Sequence, residues 1–268
     1  MTRPKLVFGD NGADVTALQN ALKTAGFSPG IIDGDFGSGT FNAVSAFQQS
    51  KGLLSDGIAG PRTLTALGLV ASAALPDATD DMTVQIAAQM LPGAPLSNIK
   101  TNLPVILSSL RAYEIPDRTM VLMAIATIRA ETSGCVPISE GKSSYNTSST
   151  GHPFDLYDKR TDLGNQGAPD GASFKGRGFV QLTGRSNYKR YGPRLSPPVD
   201  LVKTPELANA ATIAADLLSL FLSDRELQIK DALMHGNFQA ARRLVNGGLH
   251  GWKEFETSFK KGDMLMPH

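Results

Sequence analysis

Cysteine is almost absent: Cys135 is the only one in 268 residues. No intrachain disulfide can form, so a small fold stapled by disulfides is excluded, while the redox compartment stays open. Long apolar runs are missing too. The longest nearly apolar stretch, Met120–Ile128 ("MVLMAIATI"), falls far short of the roughly 20 residues that span a bilayer. A soluble chain with no integral membrane segment is expected. The first residues, "MTRPKLVFGDNG", contain no apolar core of a signal peptide, so no cleavable leader is expected and export would need another protein. Charge of one sign is not in excess. Lys and Arg total 26 against 25 Asp and Glu, a net +1, and no basic block marks a nucleic-acid footprint. Histidine is scarce: only His152, His235, His250 and His268 occur, and no His-Glu-x-x-His appears. A zinc site, which usually needs two or three His or Cys ligands, is therefore not expected, and neither is any other cofactor.

What is present divides in two. Residues 1–70 read as a small helical unit. In "DVTALQNALKTAGF", Val15, Leu18 and Leu22 share a helical face, and Gly26 is placed to end the helix. A second helix, "TFNAVSAFQQSKG", would turn Phe41, Val44 and Phe47 inward and stop at Gly52. Pro61 would open a short third helix through Leu64 and Leu67. The segments before the second and third helices are alike, "IIDGDFGSGT" and "LLSDGIAGPRT", each with Asp-Gly ahead of a helix start. Turn chemistry alone explains Asp and Gly at such places. Residues 71–80 are small, polar and proline-containing, as a linker is. Residues 81–268 form a larger unit.

That larger unit should be mainly α. Ile99, Leu103, Ile106, Leu107 and Leu110 mark an amphipathic helix ended by Pro116. The next helix starts from Asp117 as N-cap, is apolar nearly all round, and should be buried; Gly134 is placed as its C-cap and Glu131 lies at its end. Ser133 to Lys175 is rich in Gly, Ser, Asn, Asp and Pro, a loop region long enough to be functional. Three further helices are expected. One spans "TPELANAATIAADLLSLFLSD", with Thr204 as cap and Pro205 first. Another is "NFQAARRLVNGG", closed by Gly247 and Gly248, and the last follows Trp252. Strand signals are sparse, so a loop-built cleft on a helical frame is the expected architecture.

The segment "FKGRGFVQLTGRSNY" (Phe174–Tyr188) looks at first like a phosphate loop, but the spacing fails. A P-loop needs Gly-x4-Gly-Lys-Ser/Thr, whereas Thr183 stands five residues after Gly178. The dinucleotide fingerprint needs a glycine where Gln181 stands. Cysteine catalysis would have to use Cys135 with His152 or His250, yet a cysteine just past a buried helix is usually a packed, inert thiol. Carboxylate chemistry remains. Glycosidic bonds are cleaved by two carboxyl groups, one donating a proton while the other activates water or attacks. Glu131, at the end of an apolar helix, suits the acid. Glu140, in the segment "PISEGKSSYN", which is expected to be flexible, suits the base, with Asp155, Asp158 and Asp162 as competitors.

Two resemblances sharpen this. "GDNGADVTALQNALKTAGF…IDGDFGSGTFNAVSAFQQSKGLLSDGIAGPRTLTAL" resembles the three-helix peptidoglycan-binding domain over residues 6–69, which implies attachment to bacterial peptidoglycan without catalysis. "AETSG" (Ala130–Gly134), "GRGFVQLTGRSNY" (Gly176–Tyr188) and "RLVNGGLHG" (Arg243–Gly251) resemble, in order and spacing, the lysozyme-like fold of glycoside hydrolase family 19 over roughly residues 97–255.

That resemblance implies Glu131 as general acid and Glu140 as general base. Gln181 and Thr183 would contact sugar and hold the attacking water, and Asn246 would contact substrate. It also implies an inverting mechanism. The nine-residue gap between the two glutamates departs from plant chitinases and resembles phage and bacterial lysozyme-type members. Together the resemblances imply a modular endolysin, monomeric, held in a host cytoplasm until a holin or other route releases it to the wall. A chitinase, an injected antibacterial effector and a non-catalytic wall-binding lysin are the alternatives. Gln181 and Thr183 are expected to alternate along an extended run, facing the cleft, with Val180 and Leu182 in the core. Arg177 is expected to pair with an acid beneath the site.

Overall fold

The computed structural model describes residues 5–51, 53, 55–69 and 76–267. The expected stop at Gly52, half of the expected linker (residues 71–75) and His268 lie outside these residues. The protein is mainly α-helical. It forms two compact units: Met1–Leu75 with Arg225–Leu244, and Pro76–Asp224 with Val245–His268.

The first unit is built on helices α1 (Ala13–Thr24), α2 (Ser38–Ser50) and α3 (Pro61–Ala66). Val15, Leu18 and Leu22 of α1 meet Val44 and Phe47 of α2 and Leu64 of α3 in a fully buried core. Gly26, at φ +89°, ends α1: its N–H donates to Lys23 O and the Phe27 N–H to Leu22 O, a left-handed cap that L side chains disfavour. Phe41 departs from expectation. It is 37% exposed, and its ring lies where a Cβ on Gly57 would fall, so it covers a turn instead of filling the core.

The two Asp-Gly segments share more than turn chemistry. The buried Gln19 amide donates to Asp33 Oδ1 (3.0 Å), Asp35 O (3.1 Å) and Thr40 Oγ1 (3.1 Å), and its oxygen accepts from Gly34 N (2.9 Å). Gln48 repeats the plan 29 residues on: it donates to Asp56 Oδ1 (3.0 Å), Ile58 O (2.9 Å) and Thr63 Oγ1 (3.1 Å) and accepts from Gly57 N (3.0 Å). Each glutamine thus stitches its own helix to the following turn and to the first turn of the next helix. Helices α11 (Glu226–Met234) and most of α12 (Phe238–Asn246) belong to this unit by compactness.

The second unit is organised on α6 (Arg118–Glu131), whose residues Met120–Ile128 are all buried. Asp117 caps it, accepting from Met120 N. Its C-terminus differs from expectation: the left-handed residue is Ser133 (φ 54°), whose N–H bonds Ile128 O, and not Gly134. Helix α13 (Trp252–Leu265) packs along α6 beside α4 (Val84–Met90), and α5 (Leu96–Ala112) packs on α10 (Ala211–Ser223). On α5, Ile99, Leu103, Ile106 and Leu110 are buried while Leu107 is half-buried. The helix ends at Ala112, ahead of Pro116, because Glu114 takes a left-handed conformation (φ 58°) and closes the cap. The single helix expected after Thr204 is broken: Pro205–Asn209 is a 3-10 turn, Ala210 is extended (ψ 130°), and α10 begins at Ala211.

Candidate active site

The expected loop region is irregular but well bonded. A short antiparallel pair, β1 (Ile138–Ser139) with β2 (Arg177–Gly178), is its only sheet among the described residues. Two asparagines of α5 hold the chain as it leaves α6: Asn98 donates to Gly134 O (3.0 Å) and Asn102 to Cys135 O (2.9 Å). Asn209 ties the pair from the other side, accepting from Gly178 N (3.0 Å) and donating to Ser139 Oγ (2.8 Å).

Glu140 follows β1 directly, in the segment expected to be flexible, and is itself held by hydrogen bonds. Its backbone N–H donates to Gly176 O (2.7 Å). Its carboxylate accepts three hydrogen bonds: Oε1 from Asn146 Nδ2 (2.9 Å) and the Tyr157 hydroxyl (2.9 Å), and Oε2 from Gly176 N (3.1 Å). Asn146 is fully buried. Tyr157, on the short helix α7 (Asp155–Asp158), is pushed up to about 12 by burial and then by the neighbouring Glu140, so its hydroxyl remains a donor at neutral pH.

Gln181 and Thr183 do not lie on an extended run. Arg177 and Leu182 exchange both backbone hydrogen bonds (3.2 and 2.8 Å) around a tight turn, and Gln181 sits in it at φ 51°. The turn still buries Val180 and Leu182 and leaves Gln181 and Thr183 half-exposed. Around the point where a Cβ on Gly176 would stand, three oxygens converge: Gln181 Oε1 at 2.9 Å, and Glu140 Oε2 and Thr183 Oγ1 at 3.3 Å each. The structure thus gathers Glu140, Gln181 and Thr183 around one buried glycine, where a side chain would be crowded.

Glu131, half-buried at the last position of α6, meets Asn246, whose amide donates to its Oε1 (3.3 Å). Gly247, at φ +72°, ends α12 there. Close packing also needs Gly251, since a Cβ there would stand 3.2 Å from Ala130.

Arg177 is structural, but without the acid expected beneath it. The nearly buried guanidinium donates to the Ser173 (2.7 Å) and Lys175 (3.4 Å) carbonyls and to the Tyr188 hydroxyl (3.0 Å). The acid of this region pairs elsewhere: Asp170, on α8 (Asp170–Ser173), takes a two-pronged hydrogen bond (2.7 and 2.6 Å) from Arg185, the first residue of α9 (Arg185–Tyr191), which holds its carboxyl below the usual range.

The competing aspartates are engaged. Asp155 accepts from the Ser148 N–H and hydroxyl, which lowers it. Asp158, 8% exposed, binds His152 (2.9 Å) and accepts from Gly171 N (2.9 Å). Asp162 pairs with Arg160. Cys135 is fully buried and its thiol is pushed up to about 11 by desolvation, far from a nucleophile's range. Of the other histidines, His235 bonds Asp231 O (2.7 Å) in the first unit and His250 is exposed. No group of three His, Cys, Asp or Glu side chains among the described residues is placed to hold a metal ion.

Comparison with known proteins adds to this geometry. Residues 11–67 match the family model described as "Putative peptidoglycan binding domain". Over 61 residues, 23% of the chain, the sequence is 46% identical to N-acetylmuramoyl-L-alanine amidase CwlM of Mycobacterium tuberculosis, spanning 15% of that protein. Over 55 residues, 20% of the chain, it is 49% identical to a spore cortex-lytic enzyme of Bacillus cereus, spanning 21% of it. The chain therefore covers only a small part of these relatives. Among solved structures, chitinase C of Streptomyces griseus aligns with a TM-score of 0.45 at 18% identity, over 75% of this chain and 85% of that one.

Proposed function

We propose that this chain hydrolyses the β-1,4 bond between N-acetylmuramic acid and N-acetylglucosamine in peptidoglycan, with Glu131 as general acid and Glu140 as general base. One observation carries the assignment: a carboxylate held by three donors, with the Gln181 and Thr183 side-chain oxygens converging with it beside Gly176. A water held beside this carboxylate by Gln181 and Thr183 gives its proton to Glu140 as its oxygen attacks the anomeric carbon. Glu131 protonates the departing glycosidic oxygen, and Asn246 orients Glu131. One displacement inverts the anomeric centre and requires carboxyl groups about 6.5–9.5 Å apart. Neither step calls for a metal or cofactor. The engagement of Asp155, Asp158 and Asp162 supports Glu140 over these rivals.

The first unit supports peptidoglycan as substrate, since its match is to a peptidoglycan-binding family, and two relatives that match part of the chain are named an N-acetylmuramoyl-L-alanine amidase and a spore cortex-lytic enzyme. The chain would act as an endolysin, monomeric, stored in a bacterial host's cytoplasm and released through a holin or another route to the wall. Amide cleavage is the second reading, because one of those relatives is named an amidase.

Mass spectrometry of digested sacculi separates the readings. New reducing-end N-acetylmuramic acid is the expected product; free peptide stems on intact glycan would overturn the glycosidase. Rapid cleavage of chitin oligomers with sacculi left intact would make the chain a chitinase. Glu131→Gln and Glu140→Gln should each lower kcat by about 10²–10⁴; full lysis by Glu131→Gln would remove it from the acid role and favour cleavage by other groups, as in the amide reading.

A further inference from the structure

A cavity of about 410 Å³ opens in the second unit between α4, the end of α6 and one face of α13, bordered by Gln89, Met90, Arg129, Lys253, Thr257 and Lys261. Its size is that of a small-ligand site, roughly 300–1,000 Å³. Its charge is unlike that of the chain as a whole, which is nearly neutral at net +1. Elsewhere on α13 charges are matched: Lys260 pairs with Glu256 (2.6 Å), and Asp263 pairs with Arg118. Arg129, Lys253 and Lys261 form no ion pair with a carboxylate among the described residues, and Glu254 is the only acid on the rim.

The spacing narrows the ligand. Lys253, Thr257 and Lys261 follow one another at four-residue intervals, so they form one row on the helix. The two ammonium-bearing residues stand about 12 Å apart along it, with Arg129 across the cavity. A single small anion cannot span that row; a short chain with several separated anionic groups can. Hydrogen-bonding groups lie between the charges. Gln89 and Thr257 offer an amide and a hydroxyl, and Ser258, 3% exposed, has a hydroxyl with no partner among the described residues.

Arg129 precedes Glu131 by two positions, about 200° around the helix axis, so the cavity opens on the other side of α6 from the candidate acid. We propose that this cavity is a second wall-contact site, which takes a carboxylate-bearing peptide stem of the peptidoglycan network while a glycan strand occupies the cleft. The proposal rests on the peptidoglycan-hydrolase reading for its ligand. Its test reads binding at α13 and not turnover, so failure of the hydrolase reading shows separately, in the Glu131→Gln digest.

The test is a titration of the full isotope-labelled chain, followed by its amide resonances. The probe is a soluble stem tetrapeptide, compared with the same peptide with its carboxyls amidated and with inorganic phosphate. Saturable shifts at Gln89 and Lys253–Lys261 are expected with the free-acid peptide only. The variant K253Q/K261Q, altered at two exposed positions, should bind the peptide roughly tenfold more weakly while its other resonances stay in place. Equal shifts with the amidated peptide, equal saturation by phosphate, unchanged affinity in the variant, or no shifts at α13 would each overturn the proposal.

Discussion

Glu140 is fixed by residues that a local reading passes over. Asn146 and Tyr157 lie six and 17 positions further along, and nothing in their immediate neighbours ties them to a carboxylate. Tyr157→Phe keeps the ring and removes one charge-assisted hydrogen bond, a kind worth about 1.5–3 kcal/mol. The expected outcome is a fall in kcat of roughly 10- to 100-fold with KM little changed, read from steady-state kinetics on soluble glycan fragments. Gly176→Ala places a methyl group against three oxygens within 3.3 Å without demanding a left-handed backbone there. It should lower kcat more than it lowers thermal stability, and a fully active variant would show that the close approach of the three oxygens is not needed. Gln181 and Thr183 were visible in the sequence as a pair two apart, but the geometry that joins them to Glu140 is a tight turn and not alternation on a strand. The sequence pattern is the same for both arrangements until the backbone bonds of Arg177 with Leu182 are known.

Among elements, the helices were legible where apolar spacing and caps agree, as in α1, α6, α12 and α13. Helix ends were less so. Ser133 and Glu114 take left-handed conformations ordinarily given to glycine, and the break at Ala210 has no local marker. The likeness of the two Asp-Gly segments was visible, while the glutamines that explain it sit 14 and eight residues upstream of their aspartates, on the preceding helix. Gln48→Ala should accelerate hydrogen exchange at Gly57, leaving Gly34 protected, and Gln19→Ala should do the reverse. Simultaneous loss at both glycines would mean the two stitches are not independent. A different element depends on pH. Asp170 is 5% exposed, and Arg185 holds its carboxyl below the ordinary value of 3.8. The pair therefore stabilises the α8 region fully above that value and ceases to as pH falls through the lower folded one. The Gln166 amide, which donates to Asp170 (2.8 Å), should lose exchange protection over that acid range. Arg185→Ala should bring the loss to neutral pH, at a cost on the order of 3 kcal/mol.

At the scale of the whole molecule, one unit matches a wall-binding family and the other holds the candidate carboxylates, so attachment and cleavage should be separable. Attachment raises local concentration at an insoluble polymer without adding a catalytic contact. The Glu131→Gln chain should sediment with sacculi as fully as the native chain while releasing no reducing ends; loss of sedimentation would place wall contact in the carboxylate site itself. A last consequence follows from Cys135. With its thiol buried and pushed up to about 11, about one molecule in a thousand is ionised at pH 8, before access is considered. The native chain should therefore react only slowly with maleimide and iodoacetamide dyes. A cysteine introduced at the exposed Thr257 would be the sole reactive handle, so a fluorophore attached there could report occupancy of the α13 cavity with no other cysteine to mask.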